Sequence, residues 1–214
     1  MKNTPARSRT RTLAGVVAAL ILIVFGVAAV VQGLDGRSTV RNALTLEAVK
    51  GTPQMTPGAI AGKVKEAGLS GIDLPTCSVA GKSVDNGTEA RCFAEYMRVD
   101  ALVATGGKTY AQMPRFASKD GKGTDIEAQA LKLPNGVGMP NPARNVWITE
   151  TALSTALNTS YMAERISLFG IAVGGAFLLV GLAFGAVALG GVRMPSLSRS
   201  AAREPRSEGA TQTA

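Results

Sequence analysis

The chain of 214 residues carries a formal net charge of +8, contains no histidine, and gathers its apolar residues into long blocks separated by polar stretches. Without histidine, Ser-His-Asp and Cys-His nucleophile systems, the common zinc hydrolase sites and the two-His-one-carboxylate iron site are excluded. Neither a metal nor an organic cofactor is expected.

At the N-terminal end, Lys2, Arg7, Arg9 and Arg11 stand without an acidic residue among them. Residues 13–34 follow with no charge, and the run LAGVVAALILIVFGVAAVV is long enough to cross a hydrocarbon layer about 30 Å thick. A cleaved signal sequence has the same order of basic start and apolar run, but its apolar core is only about 7 to 15 residues long and ends in a small-residue cleavage site. The longer run here, with no crisp Ala-x-Ala site after it, predicts a retained span over 12–34.

The polar segment 35–164 reads as helices joined by turns, since it has neither strong period-two alternation nor a low-complexity repeat. Residues 37–49 are a candidate extension of the first span, with Gly36 as the point where it would break. Pro57 in a first turn and Gly68 after the end predict a short helix over 56–67. The segment EARCFAEYMRVDALVAT predicts a helix over 89–105, capped by Thr88 and stopped by Gly106 and Gly107, with Cys92, Phe93, Tyr96, Met97 and Val103 as its core-facing stripe. Residues 119–140, rich in Gly, Pro, Lys and Asp, read as a mobile loop.

Asn141-Pro142 is a helix start, no proline recurs until Pro195, and Val146, Leu153, Leu157 and Tyr161 recur at helical spacing. One unbroken helix of about 75 Å is therefore expected to run into a second span over 165–192. Residues 166–192 are again free of charge, and Arg193, Arg199, Arg203 and Arg206 follow against Glu204 and Glu208. Positive flanks stay on the cytoplasmic side, which predicts a multi-pass protein of the plasma membrane. Its tails, 1–11 and 193–214, would be cytoplasmic, the second disordered by composition, and the domain 35–164 extracytoplasmic. Residues 35–165 hold 15 basic and 13 acidic residues, so most of the positive excess is a topology signal and a weak attraction to anionic lipid headgroups, not a nucleic-acid surface.

Cys77 and Cys92 are the only cysteines. On an oxidising outer side they are expected to form a structural disulfide, worth about 3 kcal/mol in the chain-entropy model. The C-x-x-C spacing of an oxidoreductase is absent. Glu89, Glu95 and Asp100 would be needed together in one pocket for acid-base chemistry, but charges spread along a surface helix are usually its solvated face. Thr105-Gly106-Gly107-Lys108-Thr109 invites comparison with a phosphate-binding loop, yet Leu102 stands where that motif requires glycine. A helix stop followed by a short helix opened by Thr109 is the expectation. In the second span Gly170 and Gly174, then Gly181 and Gly185, sit four apart, as do Gly15 and Ala19 in the first. This spacing serves close packing of the hairpin's own two helices or a seam between copies of the chain.

The segments GIDLPTC, EARCFAEYMRVDAL, TGGKTYAQM and NVWITETALSTALNTSYMAE resemble a group of uncharacterised actinobacterial two-span membrane proteins. The likeness covers nearly the whole chain except the tails. Some members of that group are labelled aromatic ring-opening dioxygenases, and the absence of histidine here contradicts the iron chemistry such a label implies. The resemblance carries an architecture without an activity.

The expectation is thus a mainly α protein, a two-helix transmembrane hairpin with long helical extensions and a small extracytoplasmic helical domain. Its expected role is not enzymatic: it would bind another envelope protein or a cell-wall component, or serve as an accessory or sensor subunit of a transporter or enzyme complex. The lipid bilayer and a second copy are the other expected partners.

Overall fold

The structure is a computed structural model that describes residues 5–190, with side chains from Thr12 onward. The basic side chains expected to orient the N-terminus and the tail 193–214 lie outside the described residues. Among the described residues the chain is mainly helical, and backbone pairing outside helices is confined to isolated bridges.

Two long helices, α1 (Pro5–Leu46) and α4 (Pro142–Ala188), form an antiparallel hairpin. Gly15 of α1 faces Ala188, Gly26 faces Gly174 and Leu178, and Gly33 faces Ser167 and Ile171. Both helices are long and apolar enough to cross a membrane. Over their charge-free stretches the outward surfaces leave Val24, Phe25, Phe169 and Leu179 exposed. The break anticipated at Gly36 does not occur. Its missing side chain lets α1 approach Ser167, whose Oγ would lie 2.7 Å from an added Cβ, and α1 continues to Leu46.

Between the long helices lie α2 (Pro57–Glu66) and α3 (Gly87–Ala104), which build a head on the hairpin's extensions. Thr56 caps α2 by accepting the Ala59 N–H, and Pro57 opens the helix with its φ already fixed. The cap of α3 is Asn86, not Thr88, with its side-chain oxygen accepting the Glu89 N–H at 3.0 Å. Both residue types cap well, so packing decides. Starting at Gly87 places the α3 terminus directly on α4, where a Cβ would lie 2.7 Å from the Tyr161 Cα. At its other end Gly106 and Gly107, at φ 61° and 78°, close the helix. The Gly107 N–H reaches the Leu102 carbonyl at 2.7 Å and the Gly106 N–H that of Val103, the double bond pattern of a Schellman stop.

α3 is the centre of the head and is buried on two sides. Cys92, Tyr96 and Val99 join Ile60 and Val64 of α2 and Val79 of the intervening loop. On the other side Ala90 and Ala94 pack with Leu44 and Leu157 of the long helices, and Ala101 packs with Trp147. The sequence stripe caught part of both sides, Cys92 and Tyr96 on the first and Phe93 and Met97 on the second, but missed Ala90, Ala94 and Ala101, because alanine carries little hydrophobic signal yet permits the closest approach of helices. Residues 119–140 are a loop, but one tied down by turns. Phe116 bridges Thr124 and Pro140, Lys132 bridges Gly138, and Ser118 donates to Asp120. This cap closes the distal end, where Asn141 Nδ2 donates to the Pro114 carbonyl and Asn141 Oδ1 caps α4.

Candidate functional site

Cys77 and Cys92 are joined by a disulfide with a Cα–Cα separation of 6.1 Å. It pins the loop after α2 to the second turn of α3. One turn on, the buried Tyr96 donates its hydroxyl to the Cys77 carbonyl at 2.7 Å. Burial pushes the Tyr96 phenol above its ordinary 10.0, with Glu95 adding to the effect.

The three carboxylates singled out in the sequence do not meet. Glu89 accepts the Asp85 N–H, Glu95 pairs with Arg91 one turn before it, and Asp100 pairs with Lys63 of α2. Each is engaged locally, Glu95 and Asp100 on half-exposed side chains. Among the described residues no cluster of three or more His, Cys, Asp or Glu side chains is placed to share a metal ion. The Gly106-Gly107-Lys108 segment is the helix stop described above, and Thr109 opens a single 3-10 turn over Tyr110–Gln112.

The four glycines of α4 face α1 with different intimacy. A Cβ at Gly174 would lie 2.7 Å from the Gly26 carbonyl, and one at Gly181 2.9 Å from Ile23. Gly170 and Gly185 have ordinary clearance, 3.6 Å to the Ala29 carbonyl and 3.7 Å to Ala19.

Two acidic residues that the sequence pattern concealed are the most informative polar groups in the head. Glu164, 6 % exposed, stands where the hairpin meets the head. Its Oε2 accepts the Gly87 N–H at 2.6 Å and its Oε1 accepts the Arg37 Nε–H at 3.1 Å. One carboxylate thus joins α1, α3 and α4, and it lies at the N-terminus of α3, where the helix dipole favours an anion. Beside it the Tyr161 ring lies between two guanidinium groups, Arg91 at 4.9 Å and Arg165 at 5.0 Å. Hydrogen bonding from Arg165, reinforced by Arg91, holds the Tyr161 phenol below its ordinary 10.0.

Glu150 is 5 % exposed and differs in having no basic partner among the described residues. Its hydrogen bond comes from the Thr151 hydroxyl at a long 3.4 Å. It lines a depression of about 660 Å³ between α3 and the start of α4, with Ala101, Ala104 and Val146 among its walls and the Lys63–Asp100 pair at its rim. Met97 is shared with a second depression of about 570 Å³, lined by Leu44, Phe93, Leu153 and Leu157. The two together form a groove along α3 and α4, bordered at its inner end by Ala43 and Leu44 in the last turn of α1. A separate cleft of about 610 Å³ on the opposite side of α3 is lined by Asp73, Glu95, Arg98 and Gln112 and is more polar.

No family model matches the chain, and neither does any curated protein or solved structure. The geometry therefore stands by itself: a rigid head with a long groove on one face, a polar cleft on the other, and an arginine-tyrosine cluster at its base. Trp147 fixes the outer part, its Nε1 donating to the Lys108 carbonyl at 2.8 Å and to Thr105 at 3.3 Å.

Proposed function

We propose that this is a membrane-tethered binding protein of the cell envelope. The hairpin crosses the plasma membrane twice, both termini are cytoplasmic, and the head stands on the outer side, where it engages another envelope protein or a cell-wall component without catalysing a reaction. The observation that carries this reading is a disulfide-fixed head built directly onto two helices, each with a charge-free stretch long enough to span a membrane and apolar residues on its outer surface. The disulfide favours the oxidising side of the membrane. The arginine-rich sequence beyond both apolar blocks favours the cytoplasm for the ends. Dispersal of Glu89, Glu95 and Asp100 into separate local pairs supports binding over acid-base chemistry. Likeness to the actinobacterial two-span group fits the same architecture.

The test is topological. Reporters fused at each terminus and inserted at Gly121 are expected to be active inside, inside and outside the cell, respectively. An external terminus overturns the reading.

A second reading, an accessory or sensor subunit that transmits a signal through the membrane, is favoured by the continuity of α4 from the head to Ala188 and by the Glu164 junction of three helices. Replacing both apolar segments with an unrelated lipid anchor separates the two. Retained attachment to envelope components supports tethering, and its loss supports transmission.

A further inference from the structure

The groove between α3 and α4 is already half used, and its own chain shows what fits it. At the near end Val40 and Leu44 of α1 pack on Ala90, Ala94 and Leu157. α1 then stops at Leu46, while α3 and α4 continue side by side. Beyond that point Val146 and Leu153 are 37 % and 48 % exposed on one stripe of α4, with Met97 opposite them. An apolar stripe that continues a surface on which a helix of the same chain already packs is the form of a helix-in-groove receptor.

Glu150 adds a charge requirement. The residue is 5 % exposed, lines the open part of the groove, and among the described residues its carboxylate is met by a single weak hydroxyl donor and by no Lys or Arg. A carboxylate that faces the groove without a cation of its own is complementary to a cationic side chain supplied by an occupant. Glu164 shows the contrast, since it holds both a guanidinium and a backbone N–H. Lipid is the wrong occupant on the proposed topology. The inner end of the groove, at Ser160, lies six residues before Ile166, about 9 Å along the helix and beyond a headgroup layer of about 7 Å.

We propose that this groove docks an amphipathic helix of another envelope protein, whose apolar face covers Met97, Val146 and Leu153 and whose Lys or Arg pairs with Glu150. The proposal rests on the binding reading above and names its partner's chemistry.

The experiment uses the full chain in living cells. A photocrosslinking residue is placed at Thr149, on the groove rim, and in separate strains at Ser70 and Asn135, away from it. The captured peptide is sequenced by mass spectrometry, with and without Glu150→Gln. The expected result is a Thr149 adduct on one protein, within a segment having apolar residues three and four apart and a Lys or Arg among them. Its yield falls about tenfold with Glu150→Gln. An unaltered disulfide and melting midpoint show that this variant folds, and a Glu150→Lys change is rescued by Glu at the partner's basic position. Adducts only with lipid, with a second copy of the chain or with a segment lacking a basic residue overturn the proposal, as does a yield indifferent to Glu150. Capture at Ser70 or Asn135 but not at Thr149 removes the groove assignment and leaves the binding reading intact. Capture of neither protein nor glycan at any of the three removes both.

Discussion

Glu164 shows how one side chain sets a junction. Its two oxygens are committed to different helices, so Glu164→Gln replaces one acceptor with a donor that faces either Arg37 or the Gly87 N–H. The loss is expected to be about 2 kcal/mol, below the largest values for broken buried pairs because Arg37 is half exposed. Thermal unfolding in lipid nanodiscs, followed by near-ultraviolet circular dichroism, checks it, and an unchanged midpoint refutes the junction role. Tyr96 gives a pH signature. Its folded pKa lies above the ordinary 10.0, so its contribution is fully present below pH 10 and is lost as pH rises through the folded value. Tyr96→Phe is expected to lower neutral stability by about 1 kcal/mol, through loss of the bond to Cys77, and to flatten the alkaline decline. Parallel stability–pH curves for the two proteins would count against this.

Among the elements, the hairpin seam makes the sharpest comparison. Gly174 and Gly175 are neighbours in sequence, yet a Cβ at Gly174 meets α1 while one at Gly175 meets nothing within 4 Å. Gly174→Ile is expected to splay the helices and Gly175→Ile to leave them in place. Oxidative crosslinking of Ala19→Cys with Gly185→Cys reads this directly, and equal crosslinking in both backgrounds would contradict the packing. The same helices show what was legible in the sequence. Length and absence of charge announced α1 and α4, Thr56-Pro57 announced α2, and Gly106-Gly107 announced the end of α3, because these signals act within a few residues. The α3 start, its alanine face and the seating of Glu150 and Glu164 were not legible. Each depends on what another helix brings alongside, and a lone Glu in a helical pattern reads as solvated until that neighbour is known.

For the whole molecule, stability is divided between the seam of α1 and α4 and a head held by its own core and one cystine. Replacing Cys77 and Cys92 together with Ser removes a link across 15 residues, an expected loss of about 3 kcal/mol. Limited proteolysis is expected to cut the head of this variant while leaving a protected hairpin fragment, and a head as resistant as before would show that the cystine is dispensable. α4 has one further consequence. It runs without proline or interruption from Pro142 to Ala188, about 70 Å of a single rod. On the proposed topology the stretch before Ile166 amounts to some 36 Å, so the summit of the protein is held at a set height above the lipid. The helix then works as a ruler: whatever the head grips must present itself within that standoff, and inserting or deleting whole turns of α4 would move the gripping distance in steps.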